Sequence, residues 1–124
     1  MDIFKEVTFE AAHRLPNVPN GHKCGRLHGH SFRAEIHVAG RVTAKTGWVM
    51  DFADIKEACR PILDTLDHNY LNEIEGLENP TSEVIARWMW QRLKRVLPQL
   101  SKIVLRETCN AGCVYRGEDE SLPE

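Results

Sequence analysis

The sequence predicts an α+β domain: an antiparallel sheet with two helices packed on one face. Three observations carry that reading. Apolar residues alternate with polar ones, the period of a strand, over 2–13, 28–38 and 102–108. Between these stretches, over 51–66 and 79–97, apolar residues return at helical spacing. No repeat, linker or low-complexity segment interrupts the order, and 124 residues suit a single domain.

In the first strand Ile3, Val7, Phe9 and Ala11 share one face, and His13 continues it. Leu15 to Gly25 is rich in Pro, Asn and Gly and reads as a long loop. A second strand then sets His28, His30, Phe32, Ala34, Ile36 and Val38 on one side, leaving His37 out of phase and expected to be exposed. Asp51 is placed to cap a helix whose apolar positions are Phe52, Ile55, Cys59, Ile62, Leu63 and Leu66. Pro61 inside that pattern should kink or split it. Asn79 is expected to cap the second helix, with Pro80 at its first position. Its stripe is Ile85, Met89, Leu93 and Leu97, flanked by Trp88 and Val96, and Pro98 stops it. Ile103, Leu105 and Glu107 share a face of the next strand, and a turn through Asn110, Ala111 and Gly112 leads to a short strand, Cys113 to Arg116. The expected order is ββααββ.

Composition narrows the function classes. The chain is 42% hydrophobic and 27% charged, with a mean hydropathy of −0.40. No run approaches the ~18 apolar residues of a membrane span, and the N-terminus lacks the features of a signal peptide, so a cytoplasmic protein is expected. Sixteen basic residues face eighteen acidic ones, a net charge of −2. Four of the acids fall in residues 118–124, read as a frayed acidic tail behind a domain spanning 1–117. The nearly neutral body lacks the basic surface that nucleic-acid binding requires. Cys24, Cys59, Cys109 and Cys113 are expected to be reduced thiols.

Two histidines at i and i+2 on a strand, His28 and His30, point to the same side, close enough to share a metal ion. His13 ends the facing strand in phase with them, and three histidines with one open position suit a catalytic zinc site. The alternative is three polar histidines at strand ends. Cys24 lies among His22, Lys23 and Arg26. It reads equally as a fourth ligand, an inert thiol, or a thiolate favoured by positive neighbours. Asp67 beside His68 could orient a proton-transferring imidazole, but taken alone the dipeptide reads as a helix cap and a surface histidine. Glu107, in phase with Ile103 and Leu105, is a carboxylate aimed at the core, fit for an arginine or for the N–H edge of a cationic or amide-like ring. Cys109 and Cys113 resemble half a metal site without a second pair, and core thiols are the simpler reading. His22 is undecided, and the three tryptophans are assigned to core or interface.

Taken together, five motifs in order resemble the 6-pyruvoyltetrahydropterin synthase family over residues 3–117. They are Thr8 to His13, Cys24 with His28-Gly29-His30, Leu66 to Asn72, Asn79 to Glu83, and Glu107-Thr108-Cys109. The short loops and the ending through Cys113 to Gly117 resemble its bacterial 6-carboxytetrahydropterin branch, which serves queuosine biosynthesis. The resemblance implies the tunnelling fold, with ββααββ subunits joined around an axis, in a homohexamer of two trimers with active sites between subunits. It implies zinc on His13, His28 and His30, and Cys24 as general base. Asp67 and His68 become the partner proton-transfer pair, Glu107 the anchor of the pterin's guanidine edge, and Thr81 and Ser82 part of the pterin pocket. The implied reaction is a carbon–carbon lyase acting on 7,8-dihydroneopterin triphosphate and yielding 6-carboxy-5,6,7,8-tetrahydropterin, acetaldehyde and triphosphate. Arg14, Lys23 and Arg26 are candidates to meet the triphosphate by proximity in sequence.

Three rivals remain. A 6-pyruvoyl synthase would eliminate triphosphate and keep the side-chain carbons. A cupin-like protein would use His28, His30 and Glu35, but Glu35 falls on the opposite strand face and two helices fit a cupin barrel badly. A non-enzymatic zinc module would tolerate loss of Cys24 and Glu107.

Overall fold

The computed structural model describes residues 1–108 and 110–118. Five strands form one sheet: β1 (Asp2–His13), β2 (His28–Ala39), β3 (Asn69–Tyr70), β4 (Leu100–Arg106) and β5 (Gly112–Tyr115), in the spatial order β3-β1-β2-β4-β5. Helices α1 (Phe52–Leu66) and α2 (Ser82–Val96) complete the fold. The expected α+β architecture is present. β3 is an addition, two residues too short to alternate, and it pairs parallel to β1 with Ala11 beside Asn69.

β1 and β2 pair antiparallel without interruption from Asp2 and Ala39 to His13 and His28. Alternation then sends Val7, Phe9, Ala11, Phe32, Ala34, Ile36 and Val38 to one face, where all are buried. The cross-strand partners Phe9 and Phe32 stack with centroids 4.8 Å apart. Against them lie Ile55, Cys59, Ile62 and Leu66 of α1 and Ile85, Ala86, Trp88, Met89 and Leu93 of α2. Each large side chain so buried contributes about 1.5–3 kcal/mol, which holds the sheet end carrying the histidines rigid. Gly112 starts β5 because a Cβ there would stand 2.4 Å from the Leu105 carbonyl.

Several details differ from the sequence expectations. Pro61 neither splits nor ends α1, which runs unbroken through it. It lies on the exposed side of the helix, as does Glu57, whose carbonyl loses its N–H partner there and can turn to water. Thr81, rather than Asn79, caps α2: its hydroxyl oxygen accepts the Val84 N–H at 3.1 Å, and the helix starts at Ser82. Phe52 and Val96 are exposed because each is the terminal residue of its helix. His37 does face away from the helices, yet it is only 7% exposed. Its cross-strand partner Phe4 stacks on it at 4.8 Å, and its Nε2 meets Glu35 Oε1 at 3.0 Å. Burial pushes the thiols of Cys59 and Cys113 up to about 11, as expected of inert core thiols. Cys109 and residues 119–124 lie outside the described residues.

Candidate active site

The β1–β2 register sets His13 directly opposite His28, and His30 follows two residues along the same face. The three rings meet edge to face, with centroids 4.6, 4.8 and 5.1 Å apart. One nitrogen from each lies within 4.8 Å of the others, the one such group among the described residues able to hold a metal ion. Phe32, 5.7 Å from both His13 and His30, forms the apolar floor.

Hydrogen bonds settle which nitrogens are free. His13 Nδ1 donates to the Pro80 carbonyl at 2.7 Å, and His28 Nδ1 donates to the Arg26 carbonyl at 2.7 Å. Each bond fixes the tautomer and leaves Nε2 as a lone pair, the usual support for a metal-binding imidazole. His13 is 1% exposed, and its Nε2 is buried without any partner. An orphaned buried acceptor is costly unless a ligand completes it. Burial foremost holds His13 below the usual histidine range, outweighing its bond to Pro80, so it presents the neutral form a metal needs. The residues fit a zinc ion: three imidazoles within reach of one another, lone pairs free on His13 and His28 Nε2, and no fourth ligand in the group among the described residues.

Glu107 stands beside the triad. Its Oε2 lies 3.7 Å from His30 Nε2, and its Oε1 accepts the Ser82 hydroxyl at 2.5 Å. The first turn of α2 thus orients the carboxylate, while Thr81 is occupied in capping that helix. Cys24 is half-buried in a single 3₁₀ turn, Lys23–Gly25. Its carbonyl accepts the Leu15 N–H and its own N–H donates to His22 Nδ1, which gives His22 its role as a turn cap. The thiol is not part of the histidine group.

Asp67 is the C-cap of α1 and His68 is largely exposed, as the dipeptide reads in isolation, yet the two side chains also face each other. His68 adopts φ 58°, a left-handed backbone uncommon outside glycine, and its Nδ1 reaches Asp67 Oδ2 at 2.9 Å. Glu10 bolts the pair to β1: its N–H donates to Asp67 Oδ1 at 2.8 Å and its carbonyl accepts the His68 N–H at 2.5 Å. The Glu10 N–H first, and His68 second, hold the Asp67 carboxyl below its usual range. His68 is 77% exposed and opens on a cavity of about 590 Å³ that Glu10, Gly29, Ser31 and Thr108 also line. Ser31 there donates to Glu10 Oε1 at 2.6 Å, and its N–H donates to Thr108 Oγ1 at 2.5 Å. Glu10 and Ser31 went unassigned in the sequence, where no spacing marks them.

By strand alternation, Glu10, Gly29 and Ser31 face away from the histidine triad. The cavity on which His68 opens is nevertheless bordered by His30 as well, at the sheet end that carries the triad.

Known proteins share the sequence pattern and the fold. The sequence profile described as 6-pyruvoyl tetrahydropterin synthase matches residues 2–118. The chain belongs to that family. It is 44% identical over 119 residues to a protein of Synechocystis sp. named 6-carboxy-5,6,7,8-tetrahydropterin synthase, covering 91% of each chain. It is 38% identical over 96 residues to the dihydroneopterin monophosphate aldolase of Pyrococcus furiosus, covering 77% of each. The structure of Caenorhabditis elegans 6-pyruvoyl tetrahydropterin synthase superposes with a TM-score of 0.86 at 29% identity, over 94% of this chain and 95% of that one. The expected family, its tunnelling fold and an enzyme of the pterin synthase class are thereby met. Among the described residues, no helix is long and apolar enough to cross a membrane.

Proposed function

We propose that the chain is a zinc-dependent 6-carboxy-5,6,7,8-tetrahydropterin synthase, a carbon–carbon lyase acting on 7,8-dihydroneopterin triphosphate in the route to queuosine. With one water consumed, the products are 6-carboxy-5,6,7,8-tetrahydropterin, acetaldehyde and triphosphate. The observation that carries this reading is a carboxylate anchored beside a triad of histidines, Glu107 next to His30, in a chain 44% identical to a protein of that name.

His13, His28 and His30 would hold the zinc, which when bound makes hydroxyl protons of the substrate's side chain more acidic. Glu107 accepts the paired N–H donors of the pterin's guanidine edge, with the Ser82 hydroxyl fixing one of its oxygens and Thr81 beside it. Cys24 takes a proton from the substrate's side chain as thiolate. Asp67, kept ionised, holds His68 by Nδ1, so His68 exchanges protons with the substrate through Nε2.

The exposure of His68 on an open surface cavity supports a site completed by a neighbouring copy, in a homohexamer of two trimers in the cytoplasm. The domain is taken as residues 1–117, with 118–124 as an acidic appendage. The test is incubation of the zinc-loaded protein with dihydroneopterin triphosphate, followed by mass analysis. Acetaldehyde and the carboxypterin are expected. A 6-pyruvoyl product with all side-chain carbons retained would place the chain with the namesake of the family instead.

A further inference from the structure

The β1–β2 loop encloses a second cavity, of about 230 Å³, lined by Arg14, His22, Arg26 and their loop neighbours and by no carboxylate. That is notable in a chain with eighteen acidic residues. Among the described residues neither guanidinium is matched to an acid. Two unmatched arginines on one concave wall form an anion site, because their planar forks complement phosphate oxygens.

The wall is held by backbone bonds that leave these side chains free for a ligand. The Leu15 N–H donates to the Cys24 carbonyl at 2.8 Å, and the His22 N–H to the Pro19 carbonyl at 3.0 Å. Asn72 clamps both backbone groups of Arg14, at 2.9 and 2.7 Å. His22 accepts the Cys24 N–H on Nδ1 at 3.1 Å, which makes Nε2 the ring's N–H donor. The cavity also adjoins the triad in the chain: Arg14 follows His13, and the Arg26 carbonyl holds His28 Nδ1. Lys23, the third basic residue of the loop, is not among the lining.

The geometry points to this cavity as a polyphosphate site that takes the substrate's triphosphate, with Arg14, Arg26 and His22 as the donors. This rests on the proposed substrate carrying a triphosphate, and the test separates the two statements. Calorimetry on the zinc-loaded enzyme would use three probes: inorganic tripolyphosphate, 7,8-dihydroneopterin, and dihydroneopterin triphosphate. The wild type should bind tripolyphosphate more weakly as salt rises. The Arg14→Gln/Arg26→Gln variant should lose at least about tenfold in affinity for both phosphorylated probes. It should keep its zinc, its unfolding temperature and its affinity for dihydroneopterin, and Lys23→Gln should match the wild type. If the double variant fails to fold, Arg26→Gln alone, on an exposed side chain, carries the same comparison. Tripolyphosphate binding that depends on the arginines while no pterin binds would sustain the anion site and sink the pterin substrate. Unchanged tripolyphosphate affinity in the arginine variant, or an equal loss for dihydroneopterin, overturns the site.

Discussion

The two chemical groups of this molecule are built in opposite ways. The histidine triad sits at the end of a buried strand pair, with its ring orientations set by the Pro80 and Arg26 carbonyls and its floor by Phe32. The Asp67–His68 pair hangs at the edge of β1, largely exposed, on one left-handed residue and two backbone bonds to Glu10. A metal site tolerates no misplacement of its ligands, so it draws on the core for rigidity. In the proposed function this pair meets a substrate held elsewhere, so it can stand at a surface.

The largest effect should come from breaking the rigid group. His28→Ala removes one of the three proposed ligands and would leave the buried Nε2 of His13 without a partner. Wild-type protein should hold about one zinc per chain, and the variant should lose most of it with all measurable activity. Metal analysis of the purified variant checks this, and full zinc content there would refute the triad.

Next in size should be the effects at the groups proposed to move protons. Cys24→Ala and His68→Ala should each cost about 10²–10⁴ in turnover while zinc and pterin binding persist. Loss of zinc from Cys24→Ala would make the thiol a ligand. If the two halves of a site come from different chains, unfolding and refolding the variants together restores activity. With equal mixing, about one site in four receives both native halves in a closed ring. Mixed oligomers that stay inactive would place Cys24 and His68 in one site of one chain.

These two groups were not equally legible. Strand parity alone brings His13, His28 and His30 together, because alternation and antiparallel pairing are properties a sequence states directly. Asp67 and His68 are adjacent, and adjacency says nothing about orientation. Their mutual approach depends on φ 58° at His68 and on Glu10, fifty-seven residues before Asp67. The burial of His37 was lost for the same reason: its phase was readable, but the covering ring of Phe4 belongs to a register known only once β1 and β2 pair. Pro61 shows the converse, a strong local signal overruled by burial of Ile55, Cys59, Ile62 and Leu66 around it.

An intermediate effect is expected at Glu107, which stands beside the triad. Glu107→Gln keeps one acceptor and presents one misplaced donor to the pterin edge, so affinity should fall about 10–100-fold, with zinc retained. Titration of the zinc-loaded variant with dihydroneopterin measures it. Undiminished binding would return Glu107 to supporting His30 and Ser82.

The smallest effect should be on stability at the exposed pair. Asp67 is held below the ordinary carboxylate range by the Glu10 N–H and then by His68. A depressed folded value means a contribution present above the unfolded value, near 4, and lost as pH falls through the folded one. Because the Asp67 side chain is 43% exposed, solvent screens the gain to less than about 1 kcal/mol. Asp67→Asn should therefore unfold at slightly lower denaturant at pH 7, with the gap to wild type closing below about pH 4. Turnover should drop far more than stability, since Asn cannot hold His68 Nδ1–H as an anion does. A variant that loses several kcal/mol would show instead that the edge of β1 is built as firmly as the triad, and the contrast between the two regions would fail.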